Sequence, residues 1–147
     1  MCGPRLALGV RLAYASLGIV IGLSVCAVFL VTFHNPPAAY WGLASAVSAT
    51  LALLLFLYLY AFRPDTKPPS TAVLFASGLL SAAGVAAGIG GFAAYLGLGI
   101  INTLHGDDRP LFQTEYIVCV WTFMTFKWSI TSYYYSIKTY KIIKPYD

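Results

Sequence analysis

Four apolar runs, at about residues 11–33, 40–62, 71–101 and 112–136, dominate this chain. A helix needs about 20 residues to cross a bilayer core roughly 30 Å thick, so each run is long enough to span. Only 10% of the 147 residues are charged, against about 25% in a soluble domain, so the chain cannot cover itself with water-compatible side chains. The sequence therefore predicts an all-α membrane protein. It would be a single four-helix transmembrane domain over residues 1–147, ending in a cytosolic tail at 137–147. The start, with two arginines before an apolar run, has the outline of a signal peptide. The run is too long for that and no small-x-small cleavage site follows, so it is read as an uncleaved first span.

Charge sets the orientation. Arg5 and Arg11 flank the first span, Arg63 and Lys67 lie in the second loop, and Lys138, Lys141 and Lys144 lie in the tail. The first and third loops together hold only Arg109. Cytosolic flanks carry the excess of Lys and Arg, so both termini and the second loop are expected in the cytosol. The net charge of +4 does not point to nucleic acid, because the basic residues flank spans instead of forming one patch.

The spans differ in character. The first contains Gly18-x-x-x-Gly22. The third carries Ser77, Ser81, Gly84 and Gly88 at helical spacing, then Gly90, Gly91, Gly97 and Gly99. Small residues let helix backbones approach where lipid supplies no hydrophobic drive, so these stripes read as packing surfaces. The third span exceeds one crossing, so it is expected to tilt or project. No internal repeat is present. Four helices alone make a thin wall around a large solute, so a homo-oligomer is expected. Cys2, Cys26 and Cys119 have no metal or CxxC spacing and read as small apolar fillers.

Few residues can carry chemistry. No nucleophile–base set, phosphate loop or HExxH motif occurs, so no enzyme is expected. His34 and His105 lie in the first and third loops, on the same non-cytosolic side, and imidazole ligates transition metals and heme iron. Asp107 and Asp108 beside His105 would favour its charged form and make that loop sensitive to lumenal acidity. Lys127 stands between Phe126 and Trp128 inside the fourth span, roughly 20 Å along the helix from the third loop. A charge there costs about 3 kcal/mol on insertion scales. It either snorkels to the cytosolic interface or faces the bundle and attracts an anion. Glu115 lies 12 residues away on the same helix, too far to pair with it. Tyr58 and Tyr60 end the second span and Tyr133, Tyr134 and Tyr135 end the fourth. Interfacial tyrosine is common, and a tyrosinate can also ligate heme iron. Tyr140-Lys141-Ile142-Ile143 has the form of an endosomal sorting signal.

RLALGVRLAYASLG near the start, the span and loop spacing, His105, and VWTFMTFKWS in the last span together resemble the heme-responsive-gene family of four-span heme transporters, solute carrier family 48. The likeness covers nearly the whole chain and is strongest at residues 5–14 and 120–128. It implies heme as transported substrate, moved from an endosomal or lysosomal lumen or the extracellular side into the cytosol. The protein would then be a multi-pass protein of the endosome or lysosome, and also of the plasma membrane. It further implies a third-loop histidine, matched by His105, and a second-span histidine or tyrosine. An ungapped match puts Phe56 at that second-span position. Tyr60 lies one turn later on the same face and Tyr58 about 200° away, so Tyr60 is preferred as relay. The family's aromatic-basic tail motif corresponds to Tyr135-Ser136-Ile137-Lys138-Thr139-Tyr140, in which the key residues are Tyr135, Lys138 and Tyr140. Lys127 would attract a heme propionate or stabilise the bundle. Expected partners are heme, the lipid bilayer, a second copy, and a proton-pumping complex of the endosomal membrane. A second reading, a non-transporting tetraspan organiser or trafficking adaptor, suits the glycine stripes and the tail equally. A third, an ion or proton pathway, is disfavoured by the scarcity of intramembrane acids.

Overall fold

The structure, a computed structural model, describes residues 4–61 and 69–143, the first four of these by backbone alone. Cys2, the side chain of Arg5, the loop cations Arg63 and Lys67, and Lys144 lie outside the described residues. The described residues form α1 (Pro4–Val31), α2 (Pro36–Ala61), α3 (Thr71–Leu104), a short 3-10 turn (Leu111–Gln113) and α4 (Glu115–Ile143), with no strand among them. The fold is all-helical, as the apolar runs required. Three helices are long and apolar enough to cross a membrane: Leu8–Val31 within α1, then α2 and α3. α4 does not qualify on composition, although it has 29 residues.

The boundaries differ from the sequence expectation in instructive ways. The proline pair after His34 does not extend the loop; it opens α2. Asn35 caps the helix, its Oδ1 accepting the Ala38 N–H at 3.2 Å, and Pro36 takes the first helical position, where its missing N–H costs nothing. The link from α1 is so tight that His34 adopts φ 50°, a left-handed conformation uncommon for a side chain with a Cβ. At the other end, the helix does not stop where a tail was expected at Ile137. It continues to Ile143, so Tyr135, Lys138 and Tyr140 all lie on α4.

α4 is the packing centre. It lies along α3 for most of its length and also contacts α2, while α1 packs on α2. Its buried side chains are mainly small hydroxyls: Thr122, Thr125, Ser129, Ser132 and Ser136. Three of them bond backward to their own helix, Thr122 to the Cys119 carbonyl at 2.8 Å, Thr125 to Trp121 at 3.0 Å and Ser132 to Trp128 at 3.1 Å. Polarity that disqualifies α4 as an apolar span is thus satisfied inside the helix.

The small-residue stripe on α3 does pack, and its partner is α4. Ser77 and Ser136 share a hydrogen bond of 2.6 Å. A Cβ on Gly84 would run into the Ser129 hydroxyl, and one on Gly88 would stand 2.8 Å from the Cβ of Phe126. On the first span, a side chain at Gly18 would strike the Trp128 indole, and one at Gly22 would stand 2.9 Å from Ala46. Gly90 and Gly97 have nothing within 4 Å and belong to no interface among the described residues. Cys119 is buried and Cys26 half-buried, both as free thiols, and no cluster of metal-ligating residues exists among the described residues.

Candidate functional site

α2 and α3 barely touch. Between them runs an open groove whose floor is α4. Its outer stretch, about 600 Å³, is lined by Tyr40, Trp41, Val47 and Ser48 from α2, Ala83 and Ala87 from α3, and Thr125 and Ser129 from α4. Its inner stretch, about 530 Å³, is bounded by Leu54, Leu55 and Tyr58 from α2 and Val73, Ala76 and Ser77 from α3. Leu51, Leu80, Ser81 and Ser132 line both stretches, so they form one continuous groove. Apolar walls with a few converging hydroxyls, at a volume of several hundred Å³, are the usual features of a small-molecule site. Ser129 Oγ donates to Ser48 Oγ at 3.4 Å across the floor.

The groove ends near Trp41. A Cβ on Gly91 would stand 2.6 Å from that indole, so Trp41 of α2 lies directly on the α3 backbone. Trp41 also packs in the cluster of Phe29, Ala38, Ala39 and Val118, together with Tyr95. Beyond this aromatic layer lies a second, more polar cavity of about 270 Å³. It is lined by His34, Asn35, Tyr95, Leu98, Arg109 and Glu115, among others. The α3–α4 loop closes over it. Arg109 pairs with Asp107 at 2.8 Å and Glu115 at 3.0 Å, and its Nη1 donates to the Gln113 carbonyl at 3.3 Å. The Asn35 amide donates to the Phe112 carbonyl at 3.1 Å and joins the two outer turns.

His105 stands farther out, exposed at the C-cap of α3. Its Nδ1 lies 2.8 Å from the Ile101 carbonyl. A carbonyl only accepts, so Nδ1 carries the proton and Nε2 points outward with its lone pair available in the neutral ring. That is how a protein orients a histidine for a metal. Asp107, expected to act on His105, turns instead to Arg109, which donates from both its guanidinium and its backbone N–H and holds the Asp107 carboxyl below the ordinary carboxylate range.

The remaining expected residues divide between two faces of the bundle. Tyr58 lines the inner groove, and its hydroxyl accepts the Ser70 N–H at 2.8 Å. Tyr60 is 53% exposed and does not line the groove. Phe56, the reference for choosing Tyr60, is 5% exposed. It packs edge-on against Tyr135 at 5.2 Å, in the cluster of Ala15, Ala49, Ala52 and Trp128. Tyr135 therefore belongs to the packed core, with Arg11 over its ring at 4.9 Å. Lys138 lies over Tyr134 at 5.6 Å, and Tyr140 is 6.3 Å from Phe75. Lys127 does not line the groove. Its amine hydrogen-bonds the Tyr14 hydroxyl and lies 4.3 Å from the Tyr14 ring centre and 4.7 Å from that of Trp128. The sequence alone singled out neither Trp41 nor the α4 hydroxyls. Their spacing at 122, 125, 129, 132 and 136 is a stripe of small polar residues in a membrane-like helix, and it was the available signal.

Three bilayer-length apolar helices, beside an open hydroxyl-floored groove of ligand size, define a polytopic membrane-type helical bundle. The family described as "Haem-transporter, endosomal/lysosomal, haem-responsive gene" matches residues 8–66 and 74–128. The chain belongs to that family, which is one of transporters and not of enzymes. No solved structure matches it.

Proposed function

We propose that this chain moves heme from the lumen of an endosome or lysosome into the cytosol, along the face of α3. One observation carries the reading: three places that can hold parts of a heme follow each other along that helix. His105 stands at its outer end. The polar cavity lies at Tyr95 and Leu98, about 10 Å inward, and the groove occupies the stretch from Ala87 to Val73, about 21 Å long. In this reading α4 crosses the bilayer with the others, its hydroxyls shielded by α2 and α3. Family membership supports heme as the substrate. The charge pattern of the flanks supports the direction, because it puts the histidine end away from the cytosol.

His105 would capture iron through Nε2, and His34 would receive the heme edge in the polar cavity. Trp41 would have to move off Gly91 to admit it. The groove would then hold the macrocycle edge, with the Ser48 hydroxyl, which accepts from Ser129, free to donate to a propionate. Tyr58, at the inner end, replaces Tyr60 as our relay candidate. Lys138 and Tyr140 stand on the side where heme leaves. Lys127 takes the bundle-stabilising role of its two expected ones. A second copy would complete the wall along the open side of the groove. Partnership with a proton-pumping complex, and a presence in the plasma membrane, enter this proposal through the compartment alone.

The test is a visible-absorption titration of the purified chain with heme at neutral and acidic pH. The expected result is a shifted Soret band that weakens in His34→Ala and is lost in His105→Ala. Unchanged spectra in both variants would refute the histidine assignment. No heme absorbance in any form, with a partner protein still retained, would favour the organiser reading.

A further inference from the structure

We propose that the seam between α1 and α4, on the side of the two termini, binds the phosphate headgroup of an anionic phospholipid. The helices meet there through Trp128, which is 3% exposed, packs on Ala15 and fills the space beside Gly18. Three cations lie on this side, each laid over an aromatic ring: Lys127 over Tyr14 and Trp128, Arg11 over Tyr135, and, about 15 Å farther along α4 from Trp128, Lys138 over Tyr134. Such contacts hold a cation at an apolar surface but leave its charge uncompensated.

Among the described residues no carboxylate answers these charges. α1 contains no acidic residue. α4 contains only Glu115, in its first turn at the far end, where it pairs with Arg109. Lys127 is also set deep. It is level with Tyr14, six residues or about 9 Å into the apolar segment that begins at Leu8. Arg11 lies one turn nearer the terminus. A phosphate at the membrane surface therefore meets Arg11 first, and the amine of Lys127 comes up to it from below, by the snorkelling that long basic side chains make in membranes.

The surroundings choose a lipid over other anions. Tyr14 is 51% exposed, and the outward side chains beside it are Val10 and Leu17, a surface for acyl chains. The site lies on the opposite side of α4 from the groove. Thr125 and Ser129, which line the groove, are each two residues from Lys127, about 200° around the helix. Basic clusters between membrane helices, facing the anionic leaflet, take such headgroups.

The experiment is native mass spectrometry of the full chain released from detergent. The probes are dioleoyl phosphatidylinositol 4-phosphate and dioleoyl phosphatidylcholine at equal concentration. The expected result is at least tenfold greater retention of the anionic lipid. Retention should fall to the zwitterionic level in Arg11→Gln/Lys127→Met and persist in Lys127→Arg. Equal retention of the two lipids by the unmodified chain, which needs no variant to fold, overturns the proposal. So does full anionic-lipid retention by Arg11→Gln/Lys127→Met. Complete displacement by soluble inositol trisphosphate overturns the lipid assignment in favour of a free phosphate. Displacement by heme overturns it in favour of the transported solute.

Discussion

Gly88 and Gly97 lie on the same helix and differ only in what faces them. A Cβ on Gly88 would stand 2.8 Å from the Cβ of Phe126 and 2.9 Å from its backbone, where nothing can yield. Gly88→Ala should therefore destabilise the bundle by about 1–3 kcal/mol, the usual cost of overpacking. Gly97→Ala meets nothing and should gain about 1 kcal/mol from helix propensity. Thermal unfolding in detergent separates the two: the midpoint falls for Gly88→Ala and holds or rises for Gly97→Ala. This contrast was half legible in the sequence. The spacing of Ser77, Ser81, Gly84 and Gly88 announced a packing face, but which later glycines joined it depended on the direction each faces: Gly91 meets Trp41 and Gly99 meets Tyr116, whereas Gly90 and Gly97 meet nothing. The partner of Lys127 was not legible, because Tyr14 is 113 residues away in sequence. The clamp at Arg109 gives a second prediction. Its hydrogen bonds hold the Asp107 carboxyl below its ordinary value of 3.8. A depressed carboxylate pKa stabilises fully above the ordinary value and loses its effect only as pH falls through the lowered one. At about pH 5, still above that range, the clamp stays closed. Hydrogen exchange in residues 105–114 should be equally slow, after correction for intrinsic rates, at about pH 7 and pH 5. Arg109→Gln should speed it at both.

α3 and α4 divide the labour among the elements. α3 has 34 residues, about 51 Å of helix, well beyond the roughly 30 Å of a bilayer core. If α3 crosses a bilayer, that excess is enough for its His105 end to project, as the length of the third apolar run led us to expect. α4 does the opposite. It gives up hydropathy for a stripe of hydroxyls that pack closely under α3 and leave a polar floor beneath the groove. Composition alone could not foresee this trade, because each hydroxyl counts against a span whether or not its own helix satisfies it. Tyr58 and Tyr60 part on a related ground: only Tyr58 lines the groove. Phe56 was the reference for the functional face, yet Phe56 packs on Tyr135 in the core shared by α1, α2 and α4. Two residues along a helix is about 200°, so the face away from Phe56 is the one that meets the groove, and Tyr58 occupies it.

At the scale of the molecule, the two sides of the bundle do different things. One side, between α2 and α3, is open and lightly polar; the other, between α1 and α4, is closed by Trp128 and ringed with cations. The class of fold and the family were legible early, since four long apolar runs admit little else and the first and last spans carry the resemblance. The groove was not legible, because it exists only where α2 and α3 fail to meet. Its role as the heme path is the centre of the account, and Ala87 is the place to test it. Ala87 lines the outer groove, whereas Ala86 is exposed on α3 outside it. Uptake of a fluorescent heme analogue should be measured in heme-auxotrophic cells expressing Ala87→Trp or Ala86→Trp at matched levels. The account predicts at least a tenfold loss for Ala87→Trp and none for Ala86→Trp. Equal uptake by both would contradict it.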